Sequence, residues 1–198
     1  IIENNFKLPD NFEGEFKFIK EKNELKIKNL VLKLFLEHLP NKRKGINRDQ
    51  DIQILSPMRK GVLGIHSINS SIQYRLWGKT SAILEKNPNE KLFINDKIIN
   101  TKNDYELGVM NGDIGEIILH EKDTIVKINK KNITFNKKNI YGLEPAYAIS
   151  IHKSQGSEYP IVIIPISKEH IHMLSTNLLY TAITRAKSEV IVIGDPEI

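Results

Sequence analysis

Apolar residues recur three or four positions apart in three long segments of this chain, and that spacing predicts amphipathic helices. The three segments are residues 21–38, 62–77 and 176–186. Pro40 follows the first segment and is predicted to end its helix, because proline cannot donate the backbone hydrogen bond that continues a helix.

Short runs rich in apolar residues lie before and after these helices. They are residues 51–55, 146–151, 161–166 and 189–193, with a further apolar run at 16–19. The run at 161–166 is nearly continuous, as expected for a strand in a sheet that is covered on both faces. Strands and helices in this order predict an α/β domain with a mostly parallel sheet and helices on its faces.

Residues 91–143 have a different pattern of apolar and polar residues, in which short alternating runs are separated by Asn, Asp, Gly and Lys. The runs are residues 92–94, 98–99, 115–119, 124–128 and 132–135. Five strands at this spacing predict a small antiparallel barrel or sandwich. Asn111-Gly112-Asp113 indicates a tight turn, for which a hairpin corner without chemistry is a sufficient explanation. We therefore expect an insert at 91–143, with an α/β domain formed by 1–90 and 144–198.

The composition excludes several classes of protein. With 40% hydrophobic and 27% charged residues, the 198-residue chain has enough apolar material for a core. No apolar stretch reaches the roughly 18 residues that cross a bilayer, and the start of the chain lacks a signal peptide. The absence of cysteine excludes disulfides and thiolate metal sites. We expect a cytoplasmic protein, and a first residue other than Met indicates a piece of a longer chain.

The net charge of +5 and the isoelectric point near 9.2 are compatible with a polyanionic partner. A composition rich in Lys, Asn and Ile, as AT-rich genomes produce, accounts for the same values. Six of the basic side chains lie between residues 40 and 61. Charge alone does not decide between the two interpretations.

A polar run, His152-Lys153-Ser154-Gln155-Gly156-Ser157-Glu158, stands between two predicted strands. Polar groups beside a core are costly without partners, and open α/β sheets bind ligands at the carboxyl ends of their strands. His, Lys and Ser supply donors for phosphate oxygens, Gly156 permits close backbone approach, and Glu158 can accept from a sugar hydroxyl. A solvated loop is the alternative, but it predicts no particular order of residue types.

Arg185 lies near the end of the helix predicted at 176–186, at the edge of its apolar stripe. One interpretation is a helix-end charge that interacts with the macrodipole. The other is a group aimed across a cleft, because phosphoryl-transfer enzymes use a guanidinium from a neighbouring domain to neutralise transition-state charge.

These motifs also carry a family resemblance. Residues 146–160, Ala-Tyr-Ala-Ile-Ser-Ile-His-Lys-Ser-Gln-Gly-Ser-Glu-Tyr-Pro, and residues 177–186, Asn-Leu-Leu-Tyr-Thr-Ala-Ile-Thr-Arg-Ala, resemble motifs V and VI of superfamily 1 helicases of the RecD-like branch. Residues 53–61 resemble that branch's strand-and-loop motif. Residues 109–115 resemble the start of its SH3-like insert, with Met110 where Phe is more usual. The resemblance spans about residues 10–195.

The resemblance implies a RecA-like domain of the P-loop NTPase type without its own P-loop (domain 2A), interrupted by an SH3-like all-β barrel (domain 2B). It implies the C-terminal half of an ATP-dependent DNA helicase that moves 5′ to 3′, with roles in DNA repair and recombination. The implied partners are single-stranded DNA at a duplex junction and the missing N-terminal RecA-like domain. RecB- and RecC-type subunits are further partners if the parent protein works in such a complex.

On the nucleotide side, the resemblance matches Arg185 to the arginine that reaches the γ-phosphate from across the domain interface. It matches Glu158 to the residue near the ribose, with Gly156 in the same loop. The implied cofactor is ATP with Mg²⁺, bound mainly by the missing domain.

On the DNA side, the resemblance matches His152, Lys153 and Ser154 to the motif V group that contacts DNA. Arg59 and Lys60 are candidate phosphate contacts, although a solvated loop explains them equally well.

A complete ATP site is not expected in this chain. Gly78-Lys79-Thr80 resembles the end of a Walker A loop, but the position of the first glycine holds Gln73, and bulky residues intervene. No Walker B carboxylates follow an apolar strand either. We predict that the chain alone does not hydrolyse ATP.

His170 and His172 could be proposed as a metal pair, but no third ligand lies near them in sequence, so packing or surface roles are favoured. Two other functions remain open. The chain could act as a simple single-strand binder with steep salt dependence. The 91–143 barrel could dock a protein, because its nine lysines against seven acidic residues do not choose between DNA and protein.

Overall fold

A computed structural model describes residues 14–87 and 90–198. The chain divides into two compact units, one of Ile1–Ile68 with Ala148–Ile198 and one of Asn69–Tyr147. No helix within the described ranges is long and apolar enough to cross a membrane.

The α-helices of the described ranges are α1 (Glu24–Lys33), α2 (Leu39–Lys42), α3 (Arg48–Asp51), α4 (Ile65–Trp77) and α5 (Thr176–Ile183). The strands there are β1 (Glu15–Lys20), β2 (Ile52–Ser56), β3 (Leu84–Asn87), β4 (Glu90–Leu92), β5 (Lys97–Asn100), β6 (Ile114–His120), β7 (Thr124–Ile128), β8 (Lys131–Phe135), β9 (Leu143–Pro145), β10 (Ala148–Ser150), β11 (Tyr159–Ile166) and β12 (Ala186–Gly194).

The first unit is built on a five-stranded sheet in the order β1-β12-β11-β2-β10, and all neighbouring strands are parallel. β2 is buried over its whole length, and β11 is buried except at Pro160. α1 and α5 both pack against β11 and β12. The predicted α/β domain with a parallel sheet is therefore confirmed. The apolar runs at 51–55, 161–166 and 189–193 lie in its three inner strands, and those at 16–19 and 146–151 lie in its two edge strands.

Pro40 does not end the first helix. α1 continues into a π-helical segment, Leu34–His38, and then into α2, which has Pro40 in its first turn. The Leu39 N–H bonds to the carbonyl of Leu34, five residues back, so the helix is locally widened just before the proline. Proline is tolerated in the first turn of a helix, where no N–H is needed. The predicted helix end is wrong, and the helical run reaches Lys42.

The second unit contains a five-stranded antiparallel sheet in the order β8-β7-β6-β5-β9. One apolar cluster from these strands and their loops forms its core. The cluster consists of Leu92, Ile98, Val109, Ile117, Val126, Ile128, Phe135, Ile140 and Leu143.

The strand predicted at 92–94 lies outside this sheet. β4 pairs with β3 in a separate two-stranded sheet, and β9 takes the fifth place beside β5. Asn95 has φ +65°, and the Asp96 N–H bonds to the carbonyl of Phe93, so the chain turns where the strand was expected to run on. The sequence pattern located the apolar residues but not this turn.

A buried carboxylate, Asp96, organises this part of the second unit. One oxygen accepts from Trp77 Nε1 (2.7 Å) and the Tyr147 hydroxyl (2.8 Å). The other accepts from Gln73 Nε2 (2.7 Å) and the Phe93 N–H (2.9 Å). Burial raises the pKa of Asp96 to about 6, and the four hydrogen bonds oppose that increase.

Candidate nucleotide and nucleic-acid edges

The polar run at 152–158 forms a loop with local hydrogen bonds, in which Ser154 is buried and four of the seven residues are exposed. It begins with a 3-10 turn, His152–Ser154, directly after β10 and ends at β11. The Ser154 side chain is fully buried, and its hydroxyl donates to the carbonyl of Ile151 at 2.7 Å. The Ser157 N–H donates to the carbonyl of Ser154 at 3.0 Å. Ser154 therefore holds the loop in shape and does not face solvent in this conformation, whereas His152 is exposed.

Gly156 occupies a backbone conformation that requires glycine. Its φ is +82°, in the left-handed region, and no heavy atom lies within 4 Å of the place where a Cβ would stand. The requirement is therefore set by the backbone and not by crowding. The same open space leaves the backbone at Gly156 accessible to a ligand.

Arg185 lies between the end of α5 and the start of β12, and its guanidinium bridges two segments. Nε donates to the carbonyl of Thr181 (3.2 Å), and Nη2 donates to the Thr184 hydroxyl (3.3 Å). Nη1 donates to the carbonyl of Ser157 in the 151–158 loop (3.3 Å). The contact with Thr181 belongs to the last turn of α5, and the contact with Ser157 reaches beyond it. Arg185 thus interacts with the helix end and also joins the two motifs.

The hydrogen-bond partners of the Arg185 guanidinium are neutral groups. Among the residues that the structure describes, no ion pair involves Arg185, and its partners are two carbonyl oxygens and one hydroxyl. The side chain is half-buried. A partly desolvated guanidinium held by neutral acceptors retains its attraction for an anion.

The amino ends of β11 and β12 bring the nucleotide-side residues together. The Tyr159 N–H donates to the carbonyl of Arg185 at 2.8 Å, and Tyr159 pairs with Ala186 across the two strands. Glu158 forms an exposed ion pair with Lys187 at 3.6 Å. Burial raises the pKa of the Tyr159 hydroxyl, although the nearby Arg185 charge opposes the shift. This hydroxyl is therefore neutral beside the guanidinium.

Arg59 and Lys60 lie at the opposite edge of the same sheet, in the loop that follows the carboxyl end of β2. The Ser56 hydroxyl donates to the carbonyl of Leu63 at 2.8 Å and closes this loop. A Cβ at Gly64 would collide with the carbonyl of Lys60, so this close approach requires glycine. Both basic side chains are exposed.

The same edge carries His152 and Lys153. Ser150, the last residue of β10, pairs with Ser56, the last residue of β2. The loops that follow these two strands therefore start side by side. His152, Lys153, Arg59 and Lys60 consequently belong to one edge, which we call the carboxyl edge.

The candidate residues thus divide between two edges. Ile161 of β11 pairs with Ile52 of β2. In this register, about six residues of β11 separate Tyr159 from the level of Ser56. At about 3.3 Å per strand residue, the two positions are about 20 Å apart. The sequence placed the whole 152–158 motif at the carboxyl end of a strand. The structure shows that the motif starts there and ends at the other edge, which we call the amino edge.

Gly78-Lys79-Thr80 is the end of a helix and not a phosphate loop. Gly78 has φ +56°, and its N–H bonds to the carbonyl of Tyr74 at 2.9 Å. The Thr80 N–H bonds to the carbonyl of Trp77 at 2.9 Å. Left-handed glycine at this position is a common helix C-terminus. A helix C-terminus presents carbonyl oxygens and not N–H groups. It therefore cannot donate hydrogen bonds to a phosphate.

His170 and His172 lie in different environments. It is buried, and its Nδ1 accepts from the Ser167 N–H at 3.2 Å. Burial lowers the pKa of His170, so the imidazole is neutral at pH 7. His172 is exposed, and no group of three potential metal ligands occurs in the described part of the chain.

The charged side chains at the amino edge match the chemistry of one side of a nucleotide. A guanidinium suits a phosphate, and an exposed carboxylate suits a sugar hydroxyl. The described residues contain no cluster of acidic ligands for Mg²⁺, so the edge fits the nucleotide without the metal. Sequence reasoning missed the groups that hold Arg185, namely Ser157, Thr181 and Thr184. The order Thr-x-x-Thr-Arg at a helix end is the signal that could have revealed them.

The chain is similar to known helicases. Residues 145–193 match the UvrD-like helicase C-terminal domain. The chain is 32% identical over 148 residues to an ATP-dependent RecD2 DNA helicase of Deinococcus radiodurans, covering 72% of this chain and 20% of that protein. It is 30% identical over 182 residues to the RecBCD enzyme subunit RecD of Buchnera aphidicola, covering 87% of this chain and 30% of that subunit.

The fold is similar to that of a solved helicase structure. A crystal structure of Pif1 helicase from Bacteroides in complex with ADP-AlF3 and single-stranded DNA aligns with a TM-score of 0.55 and 18% identity, covering 87% of this chain and 49% of that one. At this identity the likeness shows the fold alone. The chain spans only about a fifth to a third of the length of the two RecD relatives.

Proposed function

Because this chain is homologous to RecD helicases and contains a UvrD-like helicase C-terminal domain, we propose that it is the C-terminal motor half of an ATP-dependent DNA helicase. The observation that carries the proposal is the contact of Arg185 with Ser157. It unites the two motifs at one edge of the parallel sheet, and none of the described carboxylates pairs with the guanidinium. This half binds single-stranded DNA and completes an ATP site whose main part lies on a missing N-terminal RecA-like domain.

At the amino edge, Arg185 contacts the γ-phosphate and neutralises charge that develops during phosphoryl transfer. Glu158 accepts from a ribose hydroxyl, for which it exchanges its exposed ion pair with Lys187. Gly156 lets the backbone approach the nucleotide. ATP, when bound, supplies the phosphoanhydride, and Mg²⁺ is held mainly by the missing domain.

At the carboxyl edge, Arg59, Lys60, His152 and Lys153 contact the sugar-phosphate backbone of single-stranded DNA. Three of these side chains are exposed, and that of Lys153 is half-buried. Contacts of this kind give affinity with little sequence discrimination. Ser154 contributes by fixing the loop, because its hydroxyl is bound to the carbonyl of Ile151.

The 151–158 loop links the two edges. Its first residues carry the DNA contacts, and Ser157 touches the guanidinium that binds phosphate. A change at Arg185 when nucleotide binds is therefore transmitted along one short, hydrogen-bonded segment. Hydrolysis and release reverse the change, and alternating affinity for DNA gives directed movement.

We assign the parallel-sheet unit to the second RecA-like domain, 2A, and the antiparallel sheet of the second unit to an SH3-like 2B domain. From the RecD relatives we propose 5′-to-3′ movement and a role in repair and recombination. RecB- and RecC-type subunits are partners where the parent protein assembles as those relatives' names describe.

The proposal is tested by a pair of variants at opposite edges of the sheet in the full-length protein. Arg185→Ala should lower DNA-stimulated ATP turnover about a thousandfold or more and leave affinity for single-stranded DNA within about twofold. Lys153→Ala should weaken DNA affinity and reduce its salt slope by about one charge, while DNA-independent turnover stays unchanged. Normal turnover in the Arg185 variant would remove the assigned role, and hydrolysis by the present chain alone would contradict the divided site.

A further inference from the structure

Two cations at the amino edge contact two consecutive residues of the 151–158 loop. Arg185 donates from Nη1 to the carbonyl of Ser157 at 3.3 Å. Lys187, two residues further along, forms an ion pair with Glu158, with 3.6 Å between Nζ and Oε2. Lys187 therefore lies within the proposed nucleotide site, beside the carboxylate that is assigned to the ribose.

The strand that carries Lys187 is irregular at this point. Between two neighbouring pairs of the register, β12 has one residue more than β11, so Pro160 alone lies opposite Lys187 and Ser188. Both of these side chains are exposed, whereas the alternation of a regular strand would expose one of them. An extra residue of this kind is a β-bulge, which is rare between parallel strands and frequent next to active sites. The side chain of Lys187 is consequently not fixed by packing.

The ion pair between Lys187 and Glu158 can be exchanged for another contact. The two side chains are 56% and 58% exposed. An ion pair with this exposure changes an equilibrium constant by no more than about fivefold. A ligand can therefore reach the carboxylate of Glu158, but a group that binds there must first displace the ammonium of Lys187.

We propose that Lys187 sets how strongly the nucleotide site selects for a ribose hydroxyl. This inference rests on the proposed function, in which Glu158 accepts a hydrogen bond from that hydroxyl. A ribonucleotide gains this hydrogen bond and breaks the ion pair, whereas a nucleotide without the hydroxyl leaves the ion pair intact. The ion pair thus reduces the advantage of the ribonucleotide alone, and the site without Lys187 discriminates more strongly.

Competition for Glu158 differs from a general attraction between Lys187 and phosphate. The general attraction acts alike on ribonucleotides and deoxyribonucleotides, so it changes both affinities and leaves their ratio unaltered. Specificity is a difference between two binding free energies, and the ratio therefore isolates the competition. Salt gives a second signature, because it screens an exposed ion pair. Selectivity for the ribose hydroxyl should increase with ionic strength when Lys187 is present.

The test measures the binding of ADP, 2′-deoxy-ADP and 3′-deoxy-ADP to the full-length protein by calorimetry. Lys187→Met should raise the ratio of the deoxy-ADP to the ADP dissociation constant about two- to fivefold, for the hydroxyl that Glu158 binds. Lys187→Arg keeps the charge and should keep the ratio. Between about 50 and about 500 mM NaCl, the wild-type ratio should rise toward that of Lys187→Met.

Lys168→Met is the matched control. Lys168 is 72% exposed, and its Nζ lies 3.8 Å from Oδ2 of Asp195, at the carboxyl ends of β11 and β12. This variant also removes one exposed lysine beside a carboxylate, but at the edge that is not assigned to the nucleotide. It should leave the ratio unchanged, and a rise equal to that of Lys187→Met would overturn the inference.

Glu158→Gln separates this inference from the proposed function. It should lower the ratio, and in its background Lys187→Met should have no further effect, because the ion pair is already lost. If Glu158→Gln lowers the ratio and Lys187→Met leaves it unchanged, the role of Lys187 is disproved and the ribose contact stands. If neither variant changes the ratio, the ribose assignment of Glu158 fails as well, whereas the role of Arg185 is decided independently by ATP turnover.

Discussion

The Nη1 atom of Arg185 lies 3.3 Å from the carbonyl oxygen of Ser157, to which it donates. The two residues come from different motifs, and the contact exists because β11 and β12 are parallel neighbours that both start at the amino edge. Thr184 completes the arrangement. Its hydroxyl accepts from Nη2 and is within donor distance of the carbonyls of Tyr180 and Thr181, at 3.0 Å each.

Thr184 is therefore expected to position the guanidinium for phosphate. In the full-length protein, Thr184→Val removes the acceptor and keeps the side-chain shape, and it should lower kcat about tenfold with little change in KM. Thr184→Ser keeps the hydroxyl and should restore most of the turnover. Steady-state ATPase assays give both parameters. Equal losses in the Val and Ser variants would indicate a packing role instead.

Gly156 should be sensitive to an added methyl group for two separable reasons. At φ +82°, Gly156→Ala should cost about 1–2 kcal/mol of unfolding free energy. Gly45 has φ +87° and equally open surroundings, so Gly45→Ala should cost about the same. Chemical denaturation measures both costs. Only the Gly156 variant should also lower ATP turnover in the full-length protein, because only that loop is proposed to face the nucleotide. A similar loss from Gly45→Ala would mean that strain alone is responsible.

The sequence predicted the parallel sheet because its inner strands are long apolar runs, which can be stable only when both faces are covered. The run at 161–166 became the core of β11, and that at 189–193 became most of β12. The prediction that Pro40 ends the first helix failed, because the preceding π-helical turn allows the helix to continue past the proline. A helical pattern carries no signal for a single widened turn.

The candidate site was only partly predictable. The residue types at 152–158 indicated ligand chemistry, but the division between two edges depends on how far the chain runs after β10 before the next strand begins. The burial of Ser154 likewise follows from a local hydrogen bond and not from residue type. Nothing in the residue pattern indicated that Asp96 is a buried hydrogen-bond acceptor, because its four donors come from four separate positions along the chain.

Asp96 provides a stability test that is independent of catalysis. Asp96→Asn leaves one oxygen for four donors, so two of the N–H or O–H groups face an amide NH₂. The unfolding free energy should fall by about 2 kcal/mol or more, the cost of leaving buried donors unsatisfied. Asp104→Asn is the control, because Oδ1 of Asp104 accepts one N–H, from Leu107, and the amide oxygen can replace it. Urea denaturation compares the two; equal effects would show that Asp96 is not a special acceptor.

The raised pKa of Asp96 also predicts how stability depends on pH. The folded protein takes up the Asp96 proton near pH 6, whereas the unfolded chain takes it up near the ordinary value of 3.8. Between these values the folded state binds more protons, so the Asp96 contribution to stability is largest below about pH 4 and is lost as the pH rises through 6. The difference of about two pKa units corresponds to about 3 kcal/mol. Urea denaturation from pH 4 to 8 should show this slope in the wild type and a smaller one in Asp96→Asn. Identical slopes in the two proteins would mean that Asp96 titrates alike in the folded and unfolded states.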